Sequence, residues 1–199
     1  MRELPILFSG PMVKAIMEGW KTQTRRVINP QPYSSTAAVV PFGETEWVSR
    51  DVDGIHNANI RLRFKPRFLV GDRLWVKETW WASDGKAYYR AHYGAGEYPQ
   101  AMDIDDGDHW KSGRFMFKKY ARLWLSVSAV RAERLQDITE NDCIAEGIED
   151  IGQRVGRLNG SYSTIFSLYQ ALWHSINGKT HPWASNPWVW VYTFRRVTP

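Results

Sequence analysis

Cysteine is nearly absent from this chain, since Cys143 is the single example among 199 residues. One thiol cannot build an internal disulfide framework or a cysteine-based zinc cluster. No apolar run approaches the roughly 20 residues that a membrane-spanning helix needs, and the first five residues lack the apolar core of a signal peptide. We therefore expect a soluble, cytoplasmic monomer that makes no contact with a membrane.

Metal-binding and common catalytic motifs are also lacking. The five histidines show no ligand spacing, and neither a G-x-S-x-G nor a phosphate-loop pattern occurs. The acidic segment 103–108 resembles a calcium loop only superficially, because Asp108 stands at its sixth position and Arg114 at its twelfth, where an EF-hand needs Gly and Glu. We predict a solvated acidic turn there, a packed Cys143, no metal site and no cofactor.

Carboxylates are missing from one part of the chain. Residues 151–199 hold 5 Lys/Arg and no Asp/Glu. Residues 1–81 hold 12 Lys/Arg and 8 Asp/Glu, and residues 82–150 hold 9 Lys/Arg and 13 Asp/Glu. If the two ends of the chain meet in space, the two basic parts form one basic face. Such a face favours a polyanion or a phosphate-bearing ligand, although a net charge of +5 also serves solubility.

Tryptophan, in contrast, is abundant, with 11 residues beside 9 Tyr and 8 Phe. Four tryptophans in apolar patterns are expected in the core: Trp124, Trp173, Trp188 and Trp190. Four others near the basic motif or the strand after Gly71 are candidates for stacking on a base: Trp20, Trp75, Trp80 and Trp81.

The apolar periodicity predicts a mixed sequence of strands and helices. Strands are expected over 5–9, 73–80, 86–93, 122–131 and 187–194, with a basic extended stretch over 21–28. Helices are expected from Gly10 to Gly19, from Thr139 to Gly147 and from Ile165 to Ile176. Residues 29–60 are expected to form a long loop with at most a weak strand. This order predicts a single α+β domain over 1–199, a mostly antiparallel barrel with helices packed outside.

Several segments resemble the ASCH family. Gly19-Trp20-Lys21-Thr22-Gln23-Thr24-Arg25-Arg26 is similar to its G-x-K-x-x-T-x-R signature, and Gly71–Val76 is similar to its G-D-x-L-x-V strand. The segment 135–147 resembles its short helix ending in Glu-Gly, and the aromatic segment 188–194 resembles its last barrel strand. The resemblance implies a PUA-like β-barrel with insertions near 29–66, 84–114 and 150–162, an architecture similar to that of phage- and prophage-encoded members.

Some members of that family remove the acyl group from N4-acetylcytidine with a Lys, a Thr and a Glu. The resemblance places these roles on Lys21, Thr24 and Glu146. Amide hydrolysis needs a nucleophile, a base and an acid for the leaving amine. Thr24 offers a hydroxyl, Lys21 is a base if burial or a nearby arginine lowers its pKa, and Glu146 can protonate or orient the exocyclic nitrogen.

The expected partner is a nucleoside or single-stranded RNA, with Arg25 and Arg26 as candidate phosphate contacts. In a regular strand Lys21 and Thr24 point to opposite faces, so their cooperation requires a turn after Gly19. Glu146 falls at the end of its helix, where the helix dipole disfavours a carboxylate. Two other functions stay open, a non-catalytic module that binds RNA or a modified base, and a metal-independent ribonuclease.

Overall fold

The structure is a computed structural model that describes residues 1–32, 36–43, 45–51, 62–83, 85–103, 109–148 and 164–198. Its strands are β1 (Glu3–Leu7), β2 (Gln23–Val27), β3 (Thr36–Phe42), β4 (Glu46–Asp51), β5 (Arg63–Phe64), β6 (Arg73–Lys77), β7 (Trp80–Ser83), β8 (Lys86–Tyr89), β9 (Trp124–Arg134) and β10 (Trp188–Val197). Its helices are α1 (Gly10–Met17), α2 (Glu140–Ala145) and α3 (Ile165–Asn177). The predicted acidic turn at 103–108 and the insertion at 150–162 fall largely or wholly outside the described residues.

The main sheet has five strands in the order β1-β6-β9-β10-β2. β1 pairs with β6 in parallel, and the other three pairings are antiparallel. Two smaller antiparallel sheets are formed by β3-β4-β5 and by β7-β8. The structure therefore confirms the α+β class and the mostly antiparallel pairing.

The expected closed barrel is not found among the described strands, because β1 and β2 lie at opposite edges of the main sheet. Helix α1 connects these two edges. The alternation of apolar residues had indicated which strand faces are buried, but that pattern does not report whether the edges pair.

The expectation of a mostly irregular 29–60 segment is wrong for its described part. β3 and β4 form a hairpin around a turn at Gly43, whose φ is +74°. Val39 and Trp47 from this hairpin are buried in the main core, where the ring of Trp47 meets that of Trp190 at 5.1 Å. Prolines and polar residues in this segment had obscured the alternation of apolar and polar residues that predicts a strand.

Two apolar cores lie on opposite faces of the main sheet. The larger is built around Ile6, Phe8 and Tyr192, and the smaller lies between the sheet and helices α2 and α3. The four tryptophans predicted for the core are all buried, as is Cys143. Among the described residues, no helix is both long enough and apolar enough to cross a lipid bilayer.

Candidate functional site

Lys21 is positioned by the end of helix α1. Gly19 adopts a φ of +87°, a conformation that glycine takes without strain, and ends the helix. The backbone N–H groups of Trp20 and Lys21 then both donate to the carbonyl of Ala15, at 2.9 and 3.1 Å. This tight turn directs the side chain of Lys21 inward, where it is completely buried.

Glu146 is positioned by helix α2, which begins with a capping box at the predicted helix start. Thr139 accepts from the backbone of Asp142, and the carboxylate of Asp142 accepts from the backbone of Thr139. Glu146 is the C-terminal capping residue of this short helix. The first turn of α2 is thus fixed by its own side chains, and its other end meets the Lys21 turn.

Helix α2 contacts the Lys21 turn very closely at Gly147. A Cβ at Gly147 would lie 3.0 Å from the Cβ atoms of both Ala15 and Lys21, and its φ is +84°. The backbone N–H of Thr22 also donates to the carbonyl of Ala145 at 2.8 Å. The Glu-Gly pair that ends α2 therefore seats Glu146 directly against Lys21.

Lys21 and Glu146 form a buried ion pair. Lys21 Nζ donates to Glu146 Oε2 at 2.8 Å, to the Glu146 carbonyl at 2.7 Å and to the Gln23 carbonyl at 2.8 Å. All three ammonium hydrogens therefore have an acceptor. Burial lowers the pKa of Lys21; the charge of Glu146 opposes this effect, and the charges of Arg26 and Arg25 add to it.

Arg25 holds the opposite side of the Glu146 carboxylate. Its Nη1 donates to Glu146 Oε1 at 3.2 Å, while its Nε and Nη2 donate to Glu133 Oε1 at 2.9 and 2.7 Å. Asp142 Oδ2 lies 3.4 Å from Arg25 Nη2, and Arg131 bonds both Glu133 and Asp142. The network offsets the unfavourable placement of Glu146 at a helix C-terminus and fixes both of its oxygens.

The pKa of Asp142 reflects this network. Burial raises it, but hydrogen bonds from Thr139 and the charges of Arg25 and Arg131 lower the pKa of Asp142 to about 2. In the same helix, burial raises the pKa of the Cys143 thiol to about 11. Cys143 is therefore held as a neutral thiol at neutral pH, which disfavours a nucleophilic role.

Thr24 and Arg26 lie on the face of β2 opposite Arg25. Thr24 is buried and is paired across the strands with Tyr192, and Arg26 is paired with Trp190. Lys21 Nζ and the Arg26 guanidinium both lie over the ring of Phe8, at 5.4 and 5.6 Å from its centroid. The structure thus brings Lys21, Glu146 and Arg26 to one place beside β2.

The four candidate stacking tryptophans are placed very differently. Trp20 is 53% exposed and lies next to Lys21 in the chain. Trp75 is half-buried under the ammonium of Lys77. Trp80 and Trp81 are buried, packed on Tyr120 and Tyr88 respectively, so they present little surface to a ligand. The placement leaves Trp20 and Trp75 as candidates with accessible rings.

Sequence reasoning missed two parts of this arrangement. Glu133 lay beyond the strand expected over 122–131, and its role depends on the β9-β10-β2 register that brings it to Arg25. Glu78, completely buried just after β6, receives two hydrogen bonds of 2.8 Å from Arg122 and interrupts the single strand expected over 73–80. Among the described residues, no group of three or more His, Cys, Asp or Glu side chains could hold a metal ion.

Comparisons with protein-family models, with curated proteins and with solved structures find no match to this chain.

Proposed function

We propose that this protein is a PUA-like ASCH hydrolase that removes the acyl group from N4-acylated cytosine in a nucleoside or nucleotide. The observation that carries the proposal is the buried contact between Lys21 and Glu146, two residues 125 positions apart that the motif resemblance assigned to one site. A buried pair joined at 2.8 Å is suited to moving one proton between a nucleophile and a leaving group.

In the proposed reaction, the Lys21 ammonium first passes a proton to the Glu146 carboxylate, which the lowered pKa of Lys21 favours. The Thr24 hydroxyl attacks the acyl carbonyl carbon and gives its proton to Lys21. The proton held by Glu146 then passes to the exocyclic nitrogen as the C–N bond breaks, which releases cytosine with a free amino group and restores the Lys21–Glu146 ion pair. Water then attacks the Thr24 ester, giving up one proton to restore the Thr24 hydroxyl, and the acyl group leaves as a carboxylic acid.

A second candidate, a non-catalytic module that binds RNA or a modified base, is favoured by one specific observation. All three hydrogens of Lys21 Nζ already have acceptors inside the protein, which is also the arrangement of a purely structural ion pair. In that case the protein binds the nucleoside without turnover. The third candidate, a ribonuclease, predicts cleavage of single-stranded RNA in the presence of EDTA.

Turnover of N4-acetylcytidine separates these candidates. We expect the wild-type protein to release cytidine and acetate, detected by liquid chromatography, and Lys21→Ala to lose roughly 10²–10⁴-fold in rate, as on removal of a general base. Lys119→Ala, which removes an exposed lysine packed on Tyr120, is the matched control and should keep its rate. Unchanged turnover in Lys21→Ala would remove Lys21 from the mechanism, and binding without any turnover would favour the second candidate.

A further inference from the structure

A cavity of about 360 Å³ lies between the two edge strands of the main sheet. It opens beside β1 and β2, where the sheet does not close. Its volume is within the range of small-molecule sites in proteins, which runs from about 300 to 1,000 Å³. Six of its lining residues carry the argument: Arg26, Lys65, Arg67, Phe68, Trp190 and Tyr192.

The lining contains three cationic side chains and no carboxylate. Arg26 donates to the carbonyl of Leu7 at 3.1 Å, and Arg67 donates to the carbonyl of Pro5 at 3.4 Å. Within the described part of the chain, neither guanidinium has a carboxylate within ion-pair distance, whereas Lys65 is paired with Glu46 at 3.0 Å. Two guanidinium groups therefore reach the cavity with donors to spare and with no carboxylate counter-ion among the described residues.

Aromatic rings form the remaining wall of the cavity. Phe68 packs edge-on against Tyr192 with ring centroids 5.0 Å apart, and the Arg67 guanidinium lies over the Phe68 ring at 5.3 Å. The Tyr192 hydroxyl accepts from the backbone N–H of Arg67 at 3.1 Å, which fixes the start of the Arg67 side chain. An apolar wall lowers the local dielectric, so charge-assisted hydrogen bonds to an anion are stronger here than on an open surface.

Arg26 connects this cavity to the Lys21–Glu146 pair. It lines the cavity and shares the ring of Phe8 with Lys21 Nζ. Lys21, Thr24 and Glu146 do not line the cavity, so a ligand whose anionic group sits on Arg26 and Arg67 must extend past Arg26 to meet the proposed reacting groups. Planar guanidinium groups bind phosphate oxygens through paired hydrogen bonds and are the usual choice for that anion.

From this arrangement we propose that the Arg26–Arg67 cavity binds the phosphate of the substrate, so that the protein prefers a phosphorylated nucleoside to the free nucleoside. The inference rests on the proposed function for the identity of the nucleoside. The phosphate chemistry is shared by a nucleoside 5′-monophosphate and by a phosphodiester within a nucleic acid strand.

Equilibrium binding by calorimetry tests the cavity without any need for turnover. The ligands are cytidine, cytidine 5′-monophosphate, the dinucleotide CpC and inorganic phosphate as a competitor. We expect one of the two phosphorylated ligands to bind at least tenfold more tightly than cytidine, phosphate to compete, and the affinity to fall with salt. A preference for the monophosphate identifies a nucleotide substrate, and a preference for CpC identifies a nucleic acid strand.

Arg67→Met tests the role of Arg67 in phosphate binding. The Arg67 side chain is exposed, so its loss should leave the fold intact. It should abolish the preference for phosphorylated ligands and leave the affinity for cytidine unchanged. Arg196→Met removes the same charge from an exposed position on β10 and is the matched control, expected to keep the preference.

The inference is overturned if cytidine binds as tightly as both phosphorylated ligands, if no cytidine ligand binds, or if Arg196→Met loses the preference as fully as Arg67→Met. These outcomes are independent of the hydrolase proposal. A protein that hydrolyses N4-acetylcytidine but ignores phosphate refutes only the cavity, whereas Arg67-dependent phosphate binding without turnover refutes only the hydrolase.

Discussion

Removal of the Glu146 negative charge should strongly destabilise the protein. Glu146→Gln would leave the buried ammonium of Lys21 without a counter-ion, and Arg25 with one carboxylate fewer. Loss of one partner from a buried ion pair costs about 3–5 kcal/mol of the free energy of unfolding. For a chain of this length, that cost corresponds to a fall of about 6–20 °C in Tm.

Urea unfolding followed by tryptophan fluorescence measures this loss, and a double-mutant cycle isolates the pair. Lys21→Met combined with Glu146→Gln removes both charges, so the double variant should lose about 0.5–3 kcal/mol less than the sum of the two single variants. Glu3→Gln is the control, because its ion pairs with Arg73 and Lys118 are partly exposed and solvent screening leaves them little effect on stability.

The reasoning is refuted if Glu146→Gln loses no more than Glu3→Gln, or if the effects at Lys21 and Glu146 simply add. Either result would mean that the two side chains are solvated or separated in solution, and it would remove the structural basis of the site.

Two further predictions concern the groups that hold the pair together. Gly147→Ala forces a Cβ to 3.0 Å from the Cβ of Lys21 and places alanine at a φ of +84°. It should lower the free energy of unfolding in urea by about 1–2 kcal/mol and also reduce turnover. The control is Gly85→Ala, which has a similar φ with open space around it and should lower stability alone. Because the pKa of Asp142 is lowered from its usual 3.8 to about 2, its stabilising effect is complete above pH 4 and is lost as the pH falls towards 2. Wild type should therefore lose about 2 kcal/mol over that interval that Asp142→Asn does not lose; equal acid sensitivity of the two proteins would contradict the assignment.

Sequence reasoning predicted the individual strands and helices of this fold better than it predicted which strands pair with one another. The start of α1 at Gly10, the start of α2 after Thr139 and the aromatic strand β10 each carry a local signal, and each was found where the pattern indicated. The β3–β4 hairpin was missed because its packing on Trp190 depends on contacts more than 100 residues away. Whether β1 and β2 pair is likewise a tertiary property that no local pattern encodes.

The candidate site was predictable to a similar degree. The motif around Lys21 and the Glu-Gly pair at 146–147 could be found because they lie in short segments with recognisable residues. The sequence could not assign Arg25 and Arg26 to different environments, because only the strand register shows that Arg25 faces three carboxylates and Arg26 faces the cavity. Both were expected as phosphate contacts. Because adjacent residues of a strand point to opposite faces, Arg25 meets the carboxylates and Arg26 lines the cavity.

The measurement that tests the central claim most directly is acetate release from N4-acetylcytidine by the wild type and by the Lys21→Met/Glu146→Gln double variant, at equal concentrations of folded protein. The double variant lacks both charges of the buried pair, so neither charge is left without its partner. A loss of rate can therefore be distinguished from a loss of folded protein. The account predicts turnover by the wild type and a loss of at least about 10²-fold in the double variant. Equal rates for the two proteins, or no acetate release by the wild type, would contradict it.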